Sequence, residues 1–178
     1  MLNTIIIIIG IVSAIILIAA AILPKKTTII ADILIEKSVS TVFDYVKFQN
    51  NQHHYNKWVM ADPDAEFNNT GTDATVGFKL YWNSKNNNVG EGEQEIIEIV
   101  DQQKIVNEIR FIRPFSGTSL STMSLNENNE NNENNTKVSL TFESVAKYPY
   151  NLMSALMSSV LKKDMGITLQ NLKTNLEK

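Results

Sequence analysis

Apolar residues fall along this chain in three successive rhythms, and each predicts a different kind of element. From Ile5 to Leu23 the apolar run is broken only by Gly10 and Ser13 and carries no charge. As a helix rising about 1.5 Å per residue it would be about 30 Å long, the depth of a bilayer's hydrocarbon core. From residue 27 to residue 144 the rhythm shortens to that of strands, with β-branched and aromatic residues in short runs separated by turn chemistry. These runs predict strands at 27–36, 65–69, 76–83, 89–100, 104–112, 118–125 and 137–144. After Pro149 the period becomes helical, since Met153, Leu156, Met157, Val160, Leu161, Met165, Leu169, Leu172 and Leu176 recur every three or four residues.

Two short helical pieces are expected between the first and second strands. Ser38 or Ser40 caps the first, which carries Val42, Phe43, Tyr45 and Val46; the second is polar and covers about residues 51–59. Residues 126–135 form an Asn/Glu repeat without an apolar side chain, which has nothing to bury and reads as a solvated hairpin loop. The element order is then one membrane helix followed by β-α-α-β-β-β-β-β-β-α, an α+β domain. A seven-stranded antiparallel sheet must cover one face, and a single long helix is available to cover it. A sheet curved around that helix leaves a concave, mostly apolar space, the usual form of a small-molecule site.

Charge and composition narrow the partners. The 16 Lys and Arg against 19 Asp and Glu, a net charge of −3, argue against nucleic acid, because a phosphate backbone is held by surplus cationic side chains. With no cysteine there is no disulfide, thiolate metal site or cysteine nucleophile. The chain divides into a transmembrane anchor, 1–26, and a folded domain, 27–178. Ala19, Ala20 and Ala21 offer the small-residue cleavage site of a secretory signal. No Lys or Arg precedes the apolar run, however, and the run is longer than a signal's core, so a retained single-pass anchor is expected. Lys25 and Lys26 are the nearest positive charges and, by the positive-inside bias, put the domain in the cytoplasm.

Several segments carry a family resemblance. Val42-Phe43-Asp44-Tyr45-Val46, Tyr55-Asn56-Lys57-Trp58 with Asp62-Pro63, and the glycine-marked Val76-Gly77-Phe78 and Val89-Gly90-Glu91-Gly92 are joined by Arg110 to Phe115 and by Asp164 to Lys173. Their order and spacing resemble the START-related helix-grip superfamily, SRPBCC, over about residues 27–178. That superfamily includes the polyketide cyclase/dehydrase and lipid-transport group, the birch-pollen-allergen fold and the heat-shock-protein ATPase activators. The resemblance implies a curved seven-stranded sheet gripping the C-terminal helix; its functions are diverse, so it implies a function less firmly.

The candidate chemistry is sparse. His53 and His54 are adjacent, so on a helix they diverge by about 100° and do not chelate one metal; a solvated face accounts for them. Glu91, Glu93 and Glu95 alternate on one strand and share a face, either as exposed charges or, if inward, as partners of Arg110 that hold a ligand's polar head. Trp58, Phe78, Tyr81, Trp82, Phe111, Met123, Met153 and Met157 suit either a core or a cavity, since Met adapts its shape and Trp or Tyr offers one polar handle. The expected ligand site therefore comprises Trp58, Phe78, Tyr81, Trp82, Glu93, Glu95, Arg110, Phe111, Met123, Met153 and Met157. No catalytic constellation, metal spacing or cofactor loop stands out. The expected function is binding of a small apolar or lipid-like molecule by a membrane-anchored domain. The alternatives are a cyclase/dehydrase-like enzyme, with an acid–base pair such as Glu95 and Tyr81 or His54, and a protein-interaction module of the heat-shock-protein activator kind.

Overall fold

Local chemistry sets the boundaries of the elements in the computed structural model, which describes residues 2–128 and 134–178. The apolar N-terminal run is helix α1 (Leu2–Ile22), long and apolar enough to cross a bilayer. Strand β1 (Lys26–Ile35) follows it directly. Ser38 then caps α2 (Val39–Val46) by accepting the Thr41 amide proton at 3.2 Å, and Val39, Val42, Phe43 and Val46 form its buried face. The polar piece expected at 51–59 is two shorter units, a 3-10 turn at Gln49–His54 and α3 (Lys57–Met60). Asp73 closes the start of the 3-10 turn, its carboxylate accepting the Gln49 and Asn50 amides at 2.9 and 3.1 Å.

Six further strands follow: β2 (Glu66–Thr70), β3 (Lys79–Asn83), β4 (Glu91–Val100), β5 (Lys104–Arg113), β6 (Gly117–Asn128) and β7 (Asn135–Val145). The chain ends in α4 (Asn151–Leu176). All seven strands form one antiparallel sheet in the order β1-β7-β6-β5-β4-β3-β2, so β1 closes onto β7 and every other neighbour is a hairpin partner. The centre of the Asn/Glu repeat, 129–133, lies outside the described residues; its ends extend β6 and β7 further than their apolar pattern predicts.

One face of the sheet packs on the helices. Ile29, Ala31 and Ile35 of β1, Leu80 of β3, Ile96 of β4, Ile105 of β5, Met123 and Leu125 of β6, and Val138 and Leu140 of β7 form a single core with α2 and the second half of α4. Met165, Leu169 and Leu172 are the α4 residues in it. Polar contacts pin that half-helix in place: Lys57 pairs with Asp164, Asn171 Nδ2 donates to the Tyr55 carbonyl at 3.2 Å, and Lys173 Nζ donates to the Leu34 carbonyl at 2.8 Å.

Register shifts at Glu91/Gly92 and Ile96/Glu98 bend β4 where it faces the helices. Gly92 is at the tighter of these places. A Cβ there would lie 2.6 Å from the Arg110 carbonyl oxygen on β5 and 2.5 Å from the Trp82 indole on β3. We expect Gly92→Ala to lose about 1–3 kcal/mol in urea unfolding, the usual range for overpacking. Wild-type stability in that variant would contradict the close approach.

Candidate functional site

Strand alternation decides which side chains reach the space between sheet and helices. On the inner face, Trp82 pairs across to Gly92 and Leu80 to Gln94; Gly92, Gln94 and Ile96 in turn pair with Phe111, Ile109 and Asn107. Ser121 and Met123 continue the same face on β6, and Leu140 and Phe142 on β7. The second half of α4 covers β1, while α3 and the 3-10 turn stand off from the centre of the sheet and leave a cavity of about 290 Å³. Trp82 lies over the one position without a side chain, Gly92, and its Nε1 donates to the Val89 carbonyl at 3.2 Å. Asn88, in the β3–β4 turn, is the most exposed of the lining residues.

The lining is apolar with a polar spine, and none of its residues carries a formal charge. Gln49 Oε1 accepts from Gln52 Nε2 at 2.5 Å and from Gln94 Nε2, while Gln52 Oε1 accepts from Asn56 Nδ2 at 2.7 Å. Asn56 Oδ1 in turn caps α3 through the Trp58 amide at 3.0 Å. These amides consume one another's capacity. Asn107, 7% exposed, differs, because its Oδ1 is buried without a hydrogen-bond partner. An unpartnered buried carbonyl oxygen costs about 1–3 kcal/mol. Rotation about χ2 exchanges the two ends of the amide, so Asn107 can present either an acceptor or a donor to whatever fills the cavity. Tyr55 also lines the space; burial pushes its phenol well above the usual value and keeps it protonated.

The structure divides the sequence-predicted residues among four places. Trp58, Trp82, Phe111 and Met123 line the cavity together. Phe78 is in the core rather than the cavity wall. Tyr81, Glu93, Glu95 and Arg110 project from the opposite face of the sheet, where Arg110 reaches Glu93, Glu95 at 2.5 Å and Glu108 at 2.6 Å. Lys79 stands 3.5 Å from Glu93 and Glu95, while Tyr81 donates to Glu91 at 2.7 Å rather than to Glu95. The expected Glu–Arg pairing exists, but on the outer surface. The reason is phase: Gly92, Gln94 and Ile96 face the core, which turns the interleaved glutamates outward. Met153 and Met157 are largely exposed beside a smaller cleft with Ile29, Phe142 and Leu161.

Gln49, Gln52, Tyr55, Gln94, Asn107 and Phe142 are lining residues that the sequence reading passed over. Asn107 had a legible signal, since it interrupts the alternating Ile105, Ile109 and Phe111. Gln94 likewise keeps the phase of Ile96. Gln49 and Gln52 had none, because they arrive from a 3-10 turn whose periodicity is too short to show a face.

Solved structures sharing this architecture include the Mll3558 protein from Rhizobium loti, 17% identical over 84% of this chain and 96% of that one, with a TM-score of 0.62. The Aha1 dimer from Colwellia psychrerythraea is 16% identical over 85% of this chain and 96% of its own, with a TM-score of 0.57. The di-domain ARO/CYC BexL from the BE-7585A biosynthetic pathway is 12% identical with a TM-score of 0.61; the match covers 86% of this chain and 51% of BexL. No protein-family model and no curated protein matches the sequence. The likeness defines a helix-grip fold, the curved antiparallel sheet closed by a C-terminal helix, and at these identities it speaks for the fold alone.

The outer-face ion cluster predicts a pH dependence. Arg110, through its hydrogen bond, holds the Glu95 carboxyl below the usual carboxylate range, against the opposing effect of desolvation and with help from Lys79. A depressed carboxylate stabilises the fold fully above its unfolded pKa and loses that contribution as pH falls through the folded value. Stability measured by urea unfolding should therefore decline as pH drops below about 4.5, and Glu95→Gln should make that decline shallower. Identical acid limbs in the two proteins would show that the pair contributes nothing.

Proposed function

We propose that this chain is a membrane-anchored helix-grip domain that binds one small, uncharged, mostly apolar molecule carrying a hydrogen-bonding group. The observation that carries this reading is a neutral cavity lined by Asn107, whose buried amide oxygen has no hydrogen-bond partner. An ionised ligand would have to shed its hydration without a counter-charge, a cost of several kcal/mol. An uncharged ligand loses little, and a hydroxyl or amide on it gives Asn107 a partner. Size also limits the choice: a cavity of about 150 Å³ holds benzene, so this one, at about 290 Å³, suits a molecule of about twice that bulk and not a whole two-chain phospholipid. Helix α1 supports the anchoring, and Lys25 and Lys26 at its C-terminal end support a cytoplasmic domain. Tethering favours a ligand that partitions into the bilayer, by holding the domain where that ligand is concentrated.

The cyclase-like reading has one observation in its favour, the likeness to BexL. Among the described lining residues, however, no carboxylate or imidazole is placed to move a proton, and Tyr55 is held protonated. Binding without covalent chemistry is the reading the geometry favours.

Two measurements test it. Mass spectrometry of the full chain purified in mild detergent should find a neutral small molecule at a fixed ratio to protein. Substituting Asn107→Leu should have opposite effects on two readouts: greater stability of the empty protein, because the orphaned oxygen is gone, and about 5- to 10-fold weaker ligand binding, because one hydrogen bond is lost. If both fall together, Asn107 is a structural residue, and the ligand-recognition reading loses its main support.

A further inference from the structure

The apolar stripe of α4 runs its full length, but protein covers only half of it. Met165, Leu169 and Leu172 are at most 1% exposed, whereas Met153, Leu156, Met157 and Val160 are 52%, 65%, 48% and 47% exposed. Tyr148 and Tyr150, just before the helix, are also exposed. Monomeric proteins seldom leave such a contiguous apolar surface bare, so it is a place where something docks.

Three observations identify the occupant as a lipid surface. First, the bare stripe begins where α1 ends: Asn151 Nδ2 donates to the Ala20 carbonyl at 2.7 Å and the Leu23 carbonyl at 2.9 Å. Second, the charge along this stretch has one sign, and the acids that flank it, Glu143 and Asp164, are paired with Lys26 and Lys57. From Val145 to Lys163 the chain has Lys147, Lys162 and Lys163 and no Asp or Glu, and all three lysines are exposed, as is Lys25 at the end of α1. Third, Tyr148 and Tyr150 stand beside the stripe, and tyrosines favour the headgroup level of a bilayer. An amphipathic half-helix with lysines at its edge and aromatic residues at its start is what an interfacial segment requires. The cleft beneath it shares Phe142 and Leu161 with the wall of the cavity, so the bare stripe lies beside the ligand site.

We propose that the first half of α4 docks on the bilayer surface next to the point where α1 enters it. The proposal rests on the reading of α1 as an anchor. Because the chain has no cysteine, single cysteines at Leu156, Ile9 and Gln170 can each carry an environment-sensitive fluorophore in the full-length protein. In vesicles containing anionic lipid, the probe at Leu156 should shift to the blue and be quenched by brominated lipids. The probe at Gln170, exposed on the other half of the same helix, should stay in water. Lys162→Glu with Lys163→Glu should cut the quenching at Leu156 at least twofold in anionic vesicles and leave the probe at Ile9 unchanged. A water-exposed Leu156 probe alongside a lipid-quenched Ile9 probe would overturn the docking and spare the anchor. Protection at Leu156 that rises with protein concentration and ignores brominated lipid would overturn it in favour of a second copy. An unquenched Ile9 probe would remove the anchor and the docking together.

Discussion

The structure depends on one constraint: the sheet has to bend around α4 while α4 reaches only part of its inner face. Bulges at Glu91/Gly92 and Ile96/Glu98 provide the bend, and Gly92, having no side chain, leaves room for the Trp82 indole. At the β1 edge, the second half of α4 meets the sheet directly and makes a solid core. Toward β3, β4 and β5 the helix stands off from the sheet, and the gap is walled by α3 and the 3-10 turn together with Leu161, Met165 and Thr168 of α4. The cavity is thus a consequence of one helix covering a seven-stranded sheet.

That geometry also separates charge from the cavity. Alternation along β4 sends Glu91, Glu93 and Glu95 outward to Arg110, Arg113 and Lys79, while Gly92, Gln94 and Ile96 face in. The chain keeps its carboxylates hydrated and paired at the surface, where each pair contributes little, and lines the interior with amides that need no counter-ion. Gln49, Gln52 and Gln94 satisfy one another. Asn107 alone among the described lining side chains has a buried oxygen left over, and it is there that the proposed function places recognition.

Most of the architecture could be read from the sequence, because it follows from period: strands alternate, α4 repeats at three and four, and Pro149 precedes the change. The strand that carries the glutamates was legible in position but not in phase. Ile96, Ile97 and Ile99 occupy both phases, and the bulge at Ile96/Glu98 switches which one is inward, so no single alternation describes the strand. For the cavity, Trp58, Trp82, Phe111 and Met123 were legible as large apolar groups, whereas Met153 and Met157 look identical in sequence to the buried Met165. What separates them is where the sheet ends beneath the helix, a tertiary fact that helical period does not carry.

A neutral interior makes a sharp demand on any ligand, and the chain supplies its own reporter, since both of its tryptophans, Trp58 and Trp82, line the cavity. The most direct test is a tryptophan-fluorescence titration of the full-length protein with 1-octanol and with octanoate, at a pH where the acid is ionised. The two share a carbon skeleton and differ in charge. Saturable binding of the alcohol, with octanoate at least about tenfold weaker, is the predicted result, a difference of about 1.4 kcal/mol. Octanoate binding as tightly as octanol would contradict the account.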